Sequence, residues 1–224
     1  MIIVTDLDDT LYPEIEFVYS GFREVSAYLS KTFGIDAEES FQIMLRELKS
    51  NGRGKVFDSV LEKHHINTTS NRKKCLSVYR SHKPELTLYP EAERFLKRFS
   101  GHTKYLVTDG NVRVQRNKIE ALGLRSHFIK TIPTYQYGIA YSKPSTFCFE
   151  KILSWEGQKS PDELVYIGDN PKKDFVSLNK MGAKTIRVLT GEFGSMKASP
   201  GFDAQYTVNN LDEITEEFIT RIAL

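Results

Sequence analysis

The sequence predicts an α/β fold, a doubly wound parallel sheet with an α-helical cap inserted after its first strand. Three observations support this prediction. The chain opens on a short apolar, β-branched run, residues 1–5, which is typical of a buried parallel strand. Residues 14–85 then show helical periodicity and no convincing strand. After Pro90, strand-like and helix-like segments alternate, as they do in parallel sheets with helices on both faces.

The composition is that of an ordinary globular chain. Its 224 residues are 40% hydrophobic and 27% charged, with a net charge of +2. This length suffices for a core domain with a smaller one inserted. The small net charge indicates no general affinity for polyanions, so we expect no nucleic acid polymer among the partners.

Further features bear on location and redox state. No apolar run reaches the length of a membrane span, and the first strand begins at Met1. We therefore expect no membrane partner and a cytoplasmic protein. Cys75 and Cys148 lie far apart and in no metal-binding spacing, so we expect two free thiols in a reducing compartment.

The predicted boundaries assign residues 14–85 to the cap and residues 1–13 and 86–224 to the core. The cap pattern indicates a small bundle of helices. The first ends near Gly34, the second begins at Asp36, the third covers Val56 to Leu61 and the fourth covers Lys73 to Ser81.

The core pattern predicts alternating elements after Pro90. In order they are a helix over 91–99, a strand over 104–107, a helix over 112–122, a strand over 128–132, a helix over 146–155, a strand over 164–167, a helix from Asn170 and Pro171 to Gly182, a strand over 184–189, a short strand over 205–208 and a terminal helix from Asn210. Asn and Pro are favoured at the N-cap and first position of a helix, which is why the seventh element is placed at Asn170.

Polar residues follow several of these strands directly. Asp6 and Asp8 follow the first strand, Thr108-Asp109-Gly110 follow the second, and Gly168-Asp169 follow a later one, with Asp174 one helical turn on. Lys143 lies in the loop before the helix at Thr146. Ligands of open α/β sheets bind at the carboxyl ends of the strands. We therefore expect these side chains to converge on one crevice.

The carboxylates in this set suit phosphoryl transfer with a metal ion. A carboxylate can attack phosphorus, and Asp6 lies nearest the strand. Asp8 can protonate the leaving oxygen and then activate water. Asp6, Asp169 and a backbone carbonyl near Asp8 offer the hard oxygen ligands that Mg²⁺ prefers.

The remaining residues suit phosphate binding. The hydroxyl of Thr108 and the backbone N–H groups of Asp109 and Gly110 can hold phosphate oxygens. Lys143 can contact the phosphoryl group and offset the cluster of acids.

Four motifs in this order resemble those of the haloacid dehalogenase-like (HAD) hydrolase superfamily. They are Asp6-Leu7-Asp8-Asp9-Thr10-Leu11, then Thr108, then Lys143-Pro144, then Gly168-Asp169 with Asp174. The chain resembles the phosphatase branch with a helical cap after the first strand. The resemblance implies a Rossmann-like core. It also implies Asp6 as nucleophile, Asp8 as acid and base, and magnesium held by Asp6, Asp169 and the backbone oxygen of Asp8. Asp174 is implied as a support for ligand or lysine.

One residue departs from the family pattern. Related phosphatases often carry asparagine where this chain has Asp109, and a carboxylate there would repel phosphate. We expect this side chain to turn outward or to contact the cap. Asp9 and Thr10 are expected to be structural, and Tyr12 and Glu14 to lie on the cap surface together with Arg53 and Lys55.

The sequence thus predicts a magnesium-dependent phosphomonoester hydrolase with an aspartyl-phosphate intermediate. The predicted substrate is a small phosphorylated metabolite, either a nucleoside monophosphate or a sugar phosphate. Three alternatives stay open: a phosphosugar mutase, a haloacid dehalogenase and a non-catalytic phosphometabolite-binding protein. The sequence does not predict the oligomeric state.

Overall fold

The computed structural model describes residues 1–223, and the chain divides into two compact units. One unit consists of Met1–Glu14 together with the chain from Leu86 onward, and the other of Ile15–Glu85. The first unit contains the sheet and all the predicted site residues.

The regular elements follow one another in an α/β order. In the described residues they are β1 (Ile2–Thr5), α1 (Glu14–Phe33), α2 (Ala37–Asn51), α3 (Val56–Lys63), α4 (Thr69–Ser81), α5 (Pro90–Arg98), β2 (Thr103–Thr108), α6 (Val112–Ala121), β3 (Lys130–Pro133), α7 (Phe147–Trp155), β4 (Leu164–Gly168), α8 (Val176–Met181), β5 (Lys184–Val188), β6 (Tyr206–Val208) and α9 (Glu216–Ala223). None of these helices combines the length and the apolar character that crossing a membrane requires.

The strands of the described residues form one parallel sheet in the order β3-β2-β1-β4-β5-β6. The chain builds outward from β1 through β2 to β3, and then returns to the other side of β1 with β4. A crevice at the carboxyl ends of the strands opens where the order reverses in this way, and here that point lies between β1 and its neighbours. The predicted doubly wound α/β fold is confirmed, and Asp6 leaves its central strand.

Apolar side chains bury both faces of the sheet. Val4 and Tyr105 lie in one apolar cluster with Phe149 of α7 and Leu178 of α8. Successive side chains of a strand point to opposite faces, and Ile3, next to Val4, is also fully buried. A sheet covered on both faces explains why the strands read as continuous apolar runs rather than as alternating patterns.

The unit of residues 15–85 has an apolar core of its own. Buried residues from α1, α2, α3 and α4 form one cluster: Val18, Phe22, Val25, Leu29, Phe41, Ile43, Met44, Val56, Val60, Leu61 and Cys75. Asp36 begins α2, because its carboxylate accepts the backbone N–H of Glu39 at 2.7 Å. The described part of this unit is helical, as predicted. Both cysteines, Cys75 here and Cys148 in α7, are buried free thiols.

Two predicted element starts were wrong, one by four residues and one by two. Helix α4 begins at Thr69 rather than Lys73, because the hydroxyl of Thr68 accepts the backbone N–H of Asn71 at 3.1 Å and caps the helix there. Strand β3 covers Lys130–Pro133 and starts two residues later than predicted, since its paired register with β2 begins at Lys130.

Two helices of the core also begin later than predicted. The helix placed at Asn170 begins only at Val176, because the side chain of Asp174 accepts the backbone N–H of Asn170 at 2.9 Å and fixes a separate turn before it. The terminal helix begins at Glu216 rather than Asn210, after a short 3₁₀ turn.

Candidate active site

The carboxylate of Asp6, directly after β1, lies against a buried lysine. The backbone N–H of Asp6 donates to the carbonyl of Ile167 at 2.8 Å, which continues the pairing of β1 with β4. Lys143 Nζ lies 2.7 Å from Asp6 Oδ2. The other oxygen, Oδ1, is buried and accepts no hydrogen bond from the described residues. Burying a polar atom without a partner is unfavourable, so Asp6 Oδ1 is a candidate ligand-binding atom.

Lys143 is held by three groups at once. Its Nζ lies 2.8 Å from Asp174 Oδ1 and donates to the hydroxyl of Tyr166 at 2.8 Å, in addition to its contact with Asp6. The hydroxyl of Tyr166 in turn donates to Asp174 Oδ1 at 3.2 Å. Burial disfavours the ammonium, but the charges of Asp174 and Asp6 outweigh it and hold the pKa of Lys143 well above its usual value. Lys143 is therefore a fixed cation at the centre of the acids.

Three carboxylates surround this lysine. Asp6, Asp169 and Asp174 each present one oxygen within 4.8 Å of the others. Both oxygens of Asp174 already accept hydrogen bonds or ion pairs, whereas the hydrogen bond that Asp169 accepts from the hydroxyl of Thr10 is long, at 3.4 Å. Burial raises the pKa of Asp6 to about 6, and burial with the charge of Asp174 raises that of Asp169 well above its usual value. Asp6 and Asp169 are thus the acids best suited to hold a cation.

Gly168 allows these groups to approach the end of β4. A Cβ atom at this position would lie 2.6 Å from Asp174 Oδ2 and 3.0 Å from Tyr166 Cε1. Such distances are far below van der Waals contact, so only glycine fits here without displacing Asp174.

Asp8 is bound by a different set of side chains. Its carboxylate accepts hydrogen bonds from the hydroxyl of Tyr12 at 2.6 Å, from Lys118 Nζ at 2.7 Å and from Gln115 Nε2 at 2.9 Å. Burial opposes ionisation of this carboxyl, but the charge of Lys118 and these hydrogen bonds hold its pKa below the usual value. Asp8 is therefore an anion in this arrangement.

Sequence reasoning missed two of these partners and misplaced the third. Tyr12 was predicted on the cap surface, but it is fully buried and belongs to the unit of the sheet. Gln115 and Lys118 lie three residues apart on the buried face of α6, at 1% and 2% exposure. Polar residues at helical spacing within the apolar stripe of a helix were the available signal, because such groups are buried only with partners.

Thr108 ends β2, and Asp109 and Gly110 follow it in the turn before α6; we call these three residues the phosphate loop after the role that the sequence predicts for them. Thr108 ends its strand at 1% exposure, and Gln115 donates to its hydroxyl as well as to Asp8. Gly110 has a φ of 131°, a backbone conformation that favours glycine. The loop therefore lies next to Asp8, as the convergence of β1 and β2 requires.

The side chain of Asp109 turns inward, contrary to prediction. Its Oδ1 accepts hydrogen bonds from the hydroxyl of Thr134 at 2.7 Å and from the backbone N–H of Lys143 at 3.1 Å. Its Oδ2 lies 3.0 Å from Lys173 Nζ. Burial opposes its charge, but the two lysines hold the pKa of Asp109 below its usual value. The carboxylate is turned inward because these donors compensate it.

Asp9 links the first loop to the loop after β5. Its φ is 53°, its carboxylate accepts the backbone N–H groups of Glu14 at 2.9 Å and Glu192 at 3.1 Å, and its carbonyl accepts the hydroxyl of Thr190. A Cβ atom at Gly191 would lie 2.1 Å from the Asp9 carboxyl carbon. This agrees with the structural role expected for Asp9, while the hydroxyl of Thr10 donates to the carboxylate of Asp169.

Comparison with known proteins identifies the family. A family profile described as haloacid dehalogenase-like hydrolase matches residues 1–182, a range that includes all the predicted site residues. The chain belongs to the haloacid dehalogenase-like hydrolases, and the predicted family is confirmed.

Curated relatives of similar length are phosphatases. The glyceraldehyde 3-phosphate phosphatase of Methanocaldococcus jannaschii is 32% identical over 226 residues, covering 96% of this chain and 95% of the relative. That of Methanopyrus kandleri is 26% identical over 231 residues, covering 96% and 97%. The phosphoserine phosphatase of Thermus thermophilus is 36% identical over 106 residues, covering 46% of this chain and 41% of the relative. The predicted class of enzyme, a phosphatase of this family, is confirmed.

Solved structures share the fold. The HAD-hydrolase YfnB from Bacillus subtilis, solved bound to magnesium, has a TM-score of 0.66 at 16% identity and covers 97% of both chains. A 2-haloacid dehalogenase from Pseudomonas syringae pv. tomato has a TM-score of 0.65 at 20% identity and covers 99% of both chains. At such identities the likeness concerns the fold alone.

Proposed function

We propose that this protein is a magnesium-dependent phosphomonoester hydrolase that forms an aspartyl-phosphate on Asp6. The observation that carries the proposal is the environment of Asp6. One carboxylate oxygen is held by Lys143, and the other is buried and unbonded within the described residues. One oxygen of this carboxylate lies within 4.8 Å of an oxygen of Asp169. A carboxylate fixed in this way is oriented as a nucleophile.

The residues present fit a magnesium ion. The unbonded oxygen of Asp6 and the carboxylate of Asp169 are hard donors, and both have pKa values raised by burial among like charges. Together with the backbone oxygen of Asp8 they would hold the ion. Bound there, magnesium supplies positive charge that offsets the charge of the phosphoryl oxygens.

The protein groups divide the reaction between them. A carboxylate oxygen of Asp6 attacks phosphorus, the bond to the leaving oxygen breaks, and water later attacks the aspartyl-phosphate. The anionic carboxylate of Asp8 suits removal of a proton from that water. To protonate the leaving oxygen in the first step, Asp8 must first take up a proton against the charge of Lys118. The hydroxyl of Thr108 and the backbone N–H groups of Asp109 and Gly110, all in the phosphate loop, bind the phosphoryl oxygens.

The substrate we propose is a small sugar phosphate, with glyceraldehyde 3-phosphate as the first compound to test. The support comes from the relatives that match nearly the whole chain, which are glyceraldehyde 3-phosphate phosphatases. A nucleoside monophosphate is the second class to test. A cytoplasmic location is part of this proposal, and the two free buried thiols support it.

Replacement of Asp6 tests the mechanism. Asp6→Asn should abolish phosphate release from glyceraldehyde 3-phosphate and from an aryl phosphate, because an amide is a poor nucleophile. Chelation of magnesium should abolish release by the unchanged protein. The matched control is Asp162→Asn, an exposed aspartate, which should retain full activity.

The outcome also separates the alternatives. Phosphate release that survives both treatments would contradict the mechanism. Isomerisation of a phosphosugar without phosphate release would favour a mutase, and release of halide from a haloacid would favour a dehalogenase. Tight phosphometabolite binding without turnover would favour a binding protein.

A further inference from the structure

A second lysine lies beside the phosphate loop. Lys173 Nζ is 3.0 Å from Asp109 Oδ2. The side chain of Lys173 is 32% exposed, whereas that of Asp109 is 10% exposed. Asp109 therefore anchors the ammonium group of a side chain that is about one third exposed to solvent.

The carboxylate of Asp109, which anchors Lys173, is itself held in place by hydrogen bonds. The other oxygen of Asp109 accepts hydrogen bonds from the hydroxyl of Thr134 and the backbone N–H of Lys143. Asp109 also directly follows β2, between Thr108 and Gly110. Because its carboxylate is fixed on three sides, Asp109 fixes the head of Lys173 at this end of the strand.

Lys143 has little capacity left for a substrate. An ammonium group has three N–H donors. Those of Lys143 face Asp6 at 2.7 Å, Asp174 at 2.8 Å and Tyr166 at 2.8 Å, and its side chain is 1% exposed. A phosphoryl group that enters among several carboxylates therefore needs positive charge in addition to that of Lys143, and a side chain with free N–H donors can supply part of it.

Lys173 lies close to the groups that are proposed to bind the substrate. Its Nζ is 3.0 Å from Asp109 Oδ2, and Asp109 directly follows Thr108 at the end of β2. An ammonium group held at this point can donate to the oxygens of a phosphoryl group.

We propose that Asp109 holds the ammonium of Lys173 at the phosphoryl site, where Lys173 binds the phosphoryl group of the substrate directly. This inference rests on the proposed function and adds a substrate-binding residue to it. It also explains why this chain tolerates a carboxylate in the phosphate loop: Asp109 positions the lysine, and the lysine neutralises Asp109.

Binding of inorganic phosphate, measured by calorimetry in magnesium chloride, tests the inference without turnover. Lys173→Met should weaken phosphate binding about tenfold or more, as the loss of one charge-assisted hydrogen bond predicts. The KM for substrate should rise by a similar factor, with a smaller change in kcat. Lys173→Arg, which keeps the charge, should bind phosphate within about threefold of the unchanged protein. The matched control is Lys172→Met, at the exposed neighbouring lysine, which should leave the affinity unchanged.

A double variant separates direct binding from neutralisation of Asp109. If Lys173 binds phosphate, Asp109→Asn with Lys173→Met should remain about tenfold weaker than Asp109→Asn alone. If the double variant instead binds phosphate as tightly as Asp109→Asn alone, Lys173 only neutralises Asp109 and the inference is overturned. Circular dichroism on each variant verifies that it is folded.

The two proposals fail in different ways. An unchanged protein that neither binds phosphate nor releases it from phosphomonoesters contradicts the proposed function. An unchanged protein that does both, with Lys173→Met equal to it in phosphate affinity and KM, overturns only the role of Lys173.

Discussion

Asp8 depends on Lys118, a residue that lies outside the four sequence motifs. Its side chain is 3% exposed, and its Nζ lies 2.7 Å from Asp8 and 3.4 Å from Glu14. Lys118→Met removes a buried cation and leaves these carboxylates without its charge. We expect the free energy of unfolding to fall by about 3 kcal/mol, as for other broken buried ion pairs, measured by urea denaturation.

Lys180→Met is the matched control for this change. Lys180 is exposed near the end of α8, so its replacement should change the free energy of unfolding by less than about 0.5 kcal/mol. If Lys118→Met were as stable as this control, the hydrogen bonds of Tyr12 and Gln115 would suffice to hold Asp8.

The contact distances at Gly168 predict the effect of a single methyl group. Gly168→Ala places its Cβ 2.6 Å from an oxygen of Asp174 and 3.0 Å from a ring carbon of Tyr166. We expect a loss of about 2 kcal/mol in the free energy of unfolding by overpacking, together with lower activity because Asp174 holds Lys143. Urea denaturation and phosphate release measure the two effects.

Gly101→Ala provides the comparison, since a Cβ atom there meets no atom within 4 Å. Its stability should stay within about 0.5 kcal/mol of the unchanged protein. Equal effects at the two glycines would show that the end of β4 can relax around a methyl group.

Among single residues, the sequence predicted correctly the position of those that directly follow the carboxyl end of a strand. Asp6 and Asp169 could be placed near each other because parallel strands bring their carboxyl ends to one edge. The partners of Asp8 could not be predicted in this way, because Lys118 contacts Asp8 only when α6 packs against the sheet. The inward turn of Asp109 was missed for the same reason, since Lys173 becomes its neighbour only in the folded chain.

A single arginine holds the long connection between β5 and β6. Arg187, on β5, donates to the carbonyls of Phe193 at 2.8 Å and Met196 at 2.7 Å and pairs with Asp203 at 3.2 Å. Arg187→Met removes both of these hydrogen bonds and the ion pair with Asp203, so the connection should open more often. We expect trypsin to cleave after the exposed Lys197 about tenfold faster, the factor that corresponds to a loss of about 1.4 kcal/mol in local stability.

The cleavage is followed by mass spectrometry of timed digests. Arg116→Met, at an exposed position of α6, removes the same charge and also one trypsin site, so it controls for both. An unchanged rate of cleavage after Lys197 in Arg187→Met would mean that other contacts hold the connection.

The elements differ in how far the sequence predicts them. The strands were found because buried parallel strands are uninterrupted apolar runs. Helix starts were predicted wrongly where a polar side chain accepts a hydrogen bond from a backbone N–H group, since such a residue is not part of the periodic apolar pattern. Thr68 does this before α4 and Asp174 before α8. Such bonds depend on one rotamer and leave no periodic signal.

For the molecule as a whole, the acids at the carboxyl edge of the sheet oppose folding unless a cation offsets them. Burial and the charge of Asp174 raise the pKa of Asp169 in the folded state, so its ionised form is less stable there than in the unfolded chain. This loss of stability is absent at a pH below the pKa of an aspartate in the unfolded chain, and it develops as the pH rises towards and through the pKa of Asp169 in the folded state. At neutral pH the ionisation of Asp169 therefore destabilises the folded protein.

Asp169→Asn should therefore change the stability in opposite directions with and without magnesium. In EDTA at pH 7.5 we expect its Tm to exceed that of the unchanged protein by about 3 °C, or about 1 kcal/mol for a chain of this size, because the amide carries no charge that burial and Asp174 would disfavour. In magnesium at about 100 times the Kd, the unchanged protein should gain about 2.7 kcal/mol, or about 8 °C, and Asp169→Asn should gain much less. Differential scanning calorimetry measures both Tm values.

Asp162→Asn, at an exposed aspartate, should have the same Tm as the unchanged protein in both buffers. Sodium chloride at the same ionic strength should not reproduce the magnesium-dependent rise in Tm. A variant Asp169→Asn that is less stable than the unchanged protein in EDTA would show that its carboxylate stabilises the fold without a cation. An equal magnesium-dependent rise in Tm for both proteins would place the metal elsewhere. The reversal of sign is expected because the carboxylates that bind the cation are the same groups that destabilise the protein in its absence.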